Sequence, residues 1–222
     1  MADGVETPPR TRAERRERAT TETRASILAA ARGCLLAEGY ANLTTRRVAE
    51  AAEVPLSQIH YHFGSKQQLI LAILEAENER LLARQRRMFG GPEPLWQQWE
   101  RACDYLDEDL ASGYVRVLQE MVAAGWSDAE VAVAVRDYLG GWFDLLSEVA
   151  EREAHRLGGL GPFSPAQVGA LMGLPFMGAE GMLLLGMPEE RVPARSALRT
   201  IGTVLRLLEE RQLGADDDGR RD

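Results

Sequence analysis

Between Thr44 and Lys66 the chain gathers side chains that hydrogen-bond or carry charge, in TTRRVAEAAEVPLSQIHYHFGSK. Thr44, Thr45, Arg46, Arg47 and Lys66 offer hydroxyls and cations, the groups that clamp phosphates. Ser57, Gln58, His60, Tyr61 and His62 crowd a segment beginning at Leu56, and such groups read base edges when held on a short helix. Catalysis finds less support. The chain has three histidines, two of them in this stretch, and His155 stands alone among charged residues. No Ser/His/Asp order, glycine-rich phosphate loop or HExxH motif occurs, and Asp107 with Asp109 falls in a charged helical stretch that reads as a solvated face. Cys34 and Cys103 have neither metal-ligand spacing nor a CxxC, and both sit in apolar helical patterns as buried thiols. The sequence therefore predicts a non-enzyme without cofactor or metal.

The local pattern says how the polar cluster is held. Thr44 or Thr45 caps a short helix with Val48, Ala49 and Ala52 behind it. Glu53-Val54-Pro55 breaks it, because the residue before a proline avoids helical geometry. Pro55 suits the first turn of a new helix running to His62, anchored on the core by Ile59 and Phe63. Ser65 with Gln68 forms a capping box that opens the next helix after Gly64. Two short helices across a tight turn make a helix-turn-helix, whose second helix enters the DNA major groove. On pattern alone a plain helical hairpin with a solvated polar face competes, but it leaves five hydrogen-bonding groups on two turns unexplained.

Residues Ala29 to Leu74 resemble the DNA-binding domain of the TetR family of transcriptional regulators. The resemblance rests on ILAAA in the first helix, GYANLTTRRVAEAA after it, and VPLSQIHYHFGSK running into Leu69. It departs at Glu53, where the family commonly has a turn glycine, predicting an adjusted or strained turn. It departs again at His60, which stands where the family usually has tyrosine. The resemblance implies a one-component regulator, most often a repressor, that binds a palindromic operator in double-stranded DNA as a homodimer. It also implies release by a small-molecule effector and dimerisation through the last two long helices, as a four-helix bundle with the partner's.

Composition agrees with a globular, all-helical chain. The 222 residues are 45% hydrophobic with ten prolines, enough for a substantial core. The net charge of −8 hides an asymmetry: residues 1–66 hold ten Lys/Arg against eight Asp/Glu, the remainder sixteen against twenty-six. A weakly basic N-terminal module on an acidic body fits one DNA-facing end. There is no signal-peptide pattern, and the most apolar stretch, Pro165 to Met187, is broken by five glycines, Pro175 and Glu180. The expectation is a soluble cytoplasmic protein with no membrane partner.

Helical periodicity continues throughout, giving about nine helices and a division by sequence. Residues 1–20 read as a flexible polar extension whose arginines either fray from the first helix or form an arm on DNA. Residues 21–66 form the DNA-binding domain, with the first helix from Thr21 to Glu38. Residues 67–91 are a linking helix, 92–213 an effector-binding and dimerisation domain, and 214–222 a disordered tail. Ser127 with Glu130 should cap the seventh helix, and Pro175 should kink the eighth. The last two helices are apolar around more than one face, so a second surface must cover them, and the glycines at 169, 173, 178 and 181 permit close helix approach there.

Within the body, Trp96, Trp99, Met121, Trp126, Tyr138, Trp142, Phe176 and Met177 supply large, adaptable apolar groups. Singly each reads as core, but together they favour a cavity for a small apolar or aromatic effector. Glu180 is the only charged side chain between Ser164 and Glu189. Three roles compete for it: an ion pair with an arginine of the seventh or ninth helix, a place at the dimer seam, or the polar group that orients the ligand. The rival to the whole reading is an all-helical dimeric interaction or small-molecule-binding protein without sequence-specific DNA binding.

Overall fold

The computed structural model describes residues 11–218, and among them there are nine α-helices and no strand. They divide into two compact units, with the boundary between Ile73 and Leu74. The part of the polar extension before Thr11 and the last four residues of the tail lie outside the described residues.

The N-terminal unit contains α1 (Arg12–Glu38), α2 (Thr45–Ala51), α3 (Leu56–Phe63) and the start of α4 (Lys66–Phe89). α1 begins nine residues before the Thr21 predicted from sequence. Thr11 and Glu14 close a capping box, each side chain bonded to the other's backbone N–H at 3.2 and 2.7 Å. These first turns expose nearly every side chain, so they give no apolar periodicity to read; the cap and the helix-favouring Arg, Glu and Ala residues sustain them. From Ile27 onward α1 buries Ala31, Cys34 and Leu35, and Leu43, Val48, Ile59, Leu69 and Ile70 are buried in the same unit. That core fixes α2 and α3 with their remaining faces to solvent.

The turn between α2 and α3 resolves the missing glycine. Glu53 adopts φ +54°, the left-handed region where a turn glycine ordinarily sits. Its N–H bonds to the Glu50 carbonyl at 3.1 Å and that of Val54 to the Ala49 carbonyl at 3.0 Å, the paired bonds of a Schellman C-cap. The turn is thus kept and the strain is carried by a glutamate. α3 starts at Leu56, as the sequence predicts, and runs one residue past His62; Pro55, placed by sequence in its first turn, is the N-cap, with extended backbone (φ −59°, ψ 144°).

The C-terminal unit comprises the rest of α4 with α5 (Leu95–Ala111), α6 (Tyr114–Gly125), α7 (Ala129–Leu157), α8 (Pro165–Leu184) and α9 (Ala194–Asp218). α9 runs on past Gly214, where the sequence placed a disordered tail. Asp128, not Ser127, caps α7: its carboxylate accepts from the N–H groups of Glu130 and Val131 at 2.9 and 3.1 Å, and a carboxylate there also favours the helix dipole. Ser164 caps α8 through the predicted box with Gln167, with Pro165 as its first residue. α8 is one continuous helix through Pro175.

α8 packs most extensively on α7, and its glycines explain how. A methyl group at Gly169 would sit 2.8 Å from Ser147 Oγ, and one at Gly173 2.5 Å from Phe143 Cε1. Close helix approach, expected at all four glycines, thus occurs at these two in α7–α8 packing inside one chain, while Gly178 and Gly181 face open space. α9 lies along α5, where the Trp99 indole donates to the Leu198 carbonyl at 2.7 Å from full burial. Among the described residues no helix is long and apolar enough to cross a membrane.

Candidate nucleic-acid interface and ligand cavity

α3 turns Ile59 and Phe63 inward, and this rotation alone decides where its other side chains go. Ser57 and His60 are exposed, Tyr61 is 72% exposed, and Leu56, Gln58 and His62 are half-buried. The Tyr61 and His62 rings meet edge-on with centroids 5.0 Å apart. His60 Nδ1 lies 2.9 Å from the Gly64 carbonyl oxygen, which ties that ring to the end of its own helix. The structure thus brings the polar groups of α3 onto one outward surface.

The flanking cations differ in their freedom. Arg47 is held by Glu38 and Glu50, each at 3.1 Å. Arg46 is exposed and forms no ion pair among the described residues. The Lys66 ammonium lies 5.4 Å from the Tyr40 ring centroid, a cation–π contact at the start of α4. Thr44 is the N-cap of α2, its hydroxyl accepting from the Arg47 N–H at 3.2 Å, while Thr45 is half-buried at the first helical position. α1 adds groups that sequence reasoning left open. Arg16, Thr20 and Thr23 line one shallow cleft with Gln58, Tyr61 and His62, and Arg12 and Arg16 line another with Tyr61. The first turns of α1 therefore border the exposed face of α3.

The C-terminal unit holds a cavity between α4, α5, α6, α7 and α8. Six of the nine residues predicted for a ligand line it: Trp99, Tyr138, Trp142, Phe176, Met177 and Glu180. The space between its side chains totals about 730 Å³ including the mouth, of which about 60 Å³ admits the centre of a water-sized sphere. Three predicted residues lie elsewhere. Met121 is fully buried core, and Trp126 is 83% exposed, because α6 has ended by then and nothing packs over its ring. Trp96 is half-buried outside the lining, with the Arg206 guanidinium 5.7 Å from its ring.

Glu180 is buried at 9% exposure and forms no ion pair with an arginine among the described residues. Its carboxylate accepts one hydrogen bond, from Gln119 Nε2 on α6 at 2.7 Å. Burial pushes its pKa up to about 7; the Gln119 bond opposes the rise and the charge of Asp109 adds to it. Asp109 lines the same cavity and pairs with Arg84, whose guanidinium also stands 4.2 Å from the Tyr105 ring. The Trp142 indole donates to Gln85 Oε1 at 2.7 Å. Burial and the nearby carboxylates raise the pKa of Tyr138, which stays a neutral phenol. The Tyr114 hydroxyl is buried and makes no hydrogen bond among the described residues.

Sequence reasoning missed Gln85, Tyr105, Asp109 and Tyr114. A signal existed for α5: Ala102, Tyr105, Leu106 and Asp109 recur at the spacing of one helix face. Asp109 was assigned to solvent because charged neighbours surround it in sequence. The cysteines are buried as expected, and burial lifts the Cys103 pKa to about 11, so it is an unreactive thiol.

A helix-turn-helix unit followed in the chain by a helical body is the class of fold seen in DNA-binding regulators. Residues 27–73 match the family model described as bacterial regulatory proteins, tetR family. The HTH-type transcriptional repressor AcnR of Corynebacterium glutamicum is 38% identical over 61 residues, which is 28% of this chain and 32% of that protein. The regulator UidR of Escherichia coli K12 is 28% identical over 121 residues, 52% of this chain and 58% of UidR. The matches thus span a third to just over half of these relatives' lengths. A TetR transcription regulator from Haloarcula marismortui superposes with a TM-score of 0.68 at 18% identity, over 83% of this chain and 96% of that one, which speaks for the fold. The resemblance to the tetR family of bacterial regulatory proteins is thus carried by residues 27–73, in the helix-turn-helix unit.

Proposed function

We propose that this chain is a ligand-responsive transcriptional regulator that represses by binding a palindromic operator as a homodimer and leaves it when a small effector enters the cavity. The carrying observation is the outward face of α3. Ser57, Gln58, His60, Tyr61 and His62 stand on a helix whose other side is locked into the core, presenting hydrogen-bonding groups in the manner of a major-groove reader. Thr44, Thr45, Arg46 and Lys66 supply phosphate contacts beside it. Arg12 and Arg16 of α1, bordering Tyr61, extend that contact along the backbone.

The homodimer uses α8 and α9. Leu171, Leu174 and Leu185 of α8 and its end, with Val204, Leu207 and Leu208 of α9, are exposed in the single chain, and an apolar surface of that extent calls for a covering partner. Two-fold symmetry of such a pair matches a palindromic site. The effector has an apolar or aromatic body and is oriented by Glu180, the one lining carboxylate with no cationic partner; its binding shifts the dimer population away from the DNA-competent state.

The test is selection from a random duplex pool followed by gel shifts at several salt concentrations. A palindromic consensus bound by dimers, with affinity falling steeply as salt rises, is the expected result. Absence of any enriched sequence would leave a helical ligand-binding protein that does not read DNA.

A further inference from the structure

The cavity wall is asymmetric in charge. Its lining includes two carboxylates, Asp109 and Glu180, and no lysine, arginine or histidine. Asp109 is answered from behind by Arg84. Glu180 is answered only by the uncharged amide of Gln119, so one carboxylate stands without a counter-charge in a wall otherwise built of rings and aliphatic groups. Trp99 and Phe176 stack obliquely there with centroids 5.1 Å apart, and Tyr138 and Trp142 come from α7. An aromatic wall around a lone carboxylate is the chemistry that receives ammonium groups, through ion pairing and attraction to ring faces. Tyr114 adds a buried hydroxyl in the same lining with no partner among the described residues.

We infer that the cavity takes an organic cation, an ammonium group on an apolar or aromatic body, with the positive charge against Glu180 and the body among Trp99, Tyr138 and Phe176. This rests on the reading of the cavity as the effector site and narrows it to one charge class. The cation supplies the counter-charge that the wall lacks. With an unliganded pKa of about 7, Glu180 is partly protonated near neutrality, and a bound cation drives that proton off. Cation affinity therefore rises with pH through about 7 and levels off above it. A neutral ligand held by protonated Glu180 shows the opposite slope. Of the groups on the packed helices, Asp109 of α5 is fixed by Arg84 of α4, Gln119 of α6 does not titrate, and Tyr138 of α7 stays neutral, so the slope belongs to Glu180.

Benzyltrimethylammonium and its uncharged isostere neopentylbenzene test the inference on the full chain, with binding followed by fluorescence of the lining tryptophans. The ammonium should bind at least about tenfold tighter than the isostere at about pH 8, and lose at least about tenfold by about pH 5.5. In Glu180→Gln the preference should vanish and the pH slope with it. The slope of the unaltered chain stands as evidence by itself if that variant folds poorly. Equal binding of the two probes, binding of neither, or a pH-independent ammonium affinity overturns the inference. Gel shifts on pool-selected DNA separate it from the effector reading. If the ammonium binds with this profile and the DNA complex persists, the cation site stands and the effector role falls. If the isostere releases DNA as well as the ammonium does, the effector role stands and the cation class falls.

Discussion

Glu53 shows how much one side chain costs when the backbone is chosen by its neighbours. Its left-handed conformation is required by the Schellman bonds to Glu50 and Ala49, and a non-glycine residue there is strained by roughly 1 kcal/mol. Glu53→Gly should therefore stabilise the N-terminal unit by about 0.5–1 kcal/mol, the gain being offset in part by glycine's looser unfolded chain. Urea denaturation would read it, and a loss of stability would mean that the Glu53 side chain makes a compensating contact. The neighbouring arginines differ for a similarly local reason. Arg46→Ala should lower the salt slope of DNA binding by about one, whereas Arg47 is already engaged by two glutamates and its replacement should matter less. Gln58→Ala should cost roughly 1–3 kcal/mol at the preferred site and relax one base position in a selected-sequence profile. Glu180 carries the clearest pH signature. Its folded pKa of about 7 lies above the unfolded value near 4.5, so its contribution is fully present below about pH 4.5 and is lost as pH rises through 7. Glu180→Gln should thus raise the melting temperature at pH 8, by a free energy on the order of 3 kcal/mol at most, and change little at pH 4.5. A variant that melts earlier at pH 8 would mean the carboxylate stabilises the fold.

At the scale of helices, legibility followed the apolar stripe. α3, α5 and α7 were readable because each buries apolar residues at helical spacing: Ile59 and Phe63, Trp99, Cys103 and Leu106, and Val131, Val135 and Tyr138. The front of α1 was not, since its turns from Arg12 on bury nothing and are held by a cap, the exposed Arg18–Glu22 pair and backbone propensity. The start of α7 was misplaced by one residue because Ser127 and Asp128 are both good caps, and only the backbone decides between them. The cavity was two-thirds legible: aromatic and sulfur-bearing residues flagged it, while Trp96, Met121 and Trp126 share that chemistry without sharing the place. Glycine spacing on α8 revealed close packing but not its partner. Gly173→Ala should destabilise the C-terminal unit by about 1–3 kcal/mol, since its methyl would meet the Phe143 ring and the Leu146 side chain, whereas Gly178→Ala meets nothing and should be neutral or stabilising. Thermal melts of the two variants would separate them, and equal effects would place Gly173 outside the α7–α8 contact.

For the whole molecule, the decisive surface is the apolar one that a single chain leaves uncovered. α9 keeps Leu198 on its own core and turns Val204, Leu207 and Leu208 outward, each about half exposed, while α8 exposes Leu171 and Leu174. Scattered leucines on a surface need no explanation, but these recur at helical spacing on two helices that are contiguous in the fold. Two copies of such a surface can cover each other by a two-fold rotation, and the proposed regulator would then read DNA as a pair. A charge placed at the centre of that seam is then buried twice, once per chain, and the cost is far above that of a surface substitution. Leu208→Arg should therefore convert the protein to monomers in light scattering at micromolar concentration. On the proposed reading each copy contributes one half-site, so operator affinity should fall by at least about a hundredfold while weak, salt-dependent binding to any duplex survives. Leu198→Ala provides the contrast: it removes a core side chain, so it should lower the melting temperature while leaving the surviving folded protein dimeric. If Leu208→Arg remains a dimer that binds the operator normally, α9 does not form the seam, and the exposed stripe has another partner.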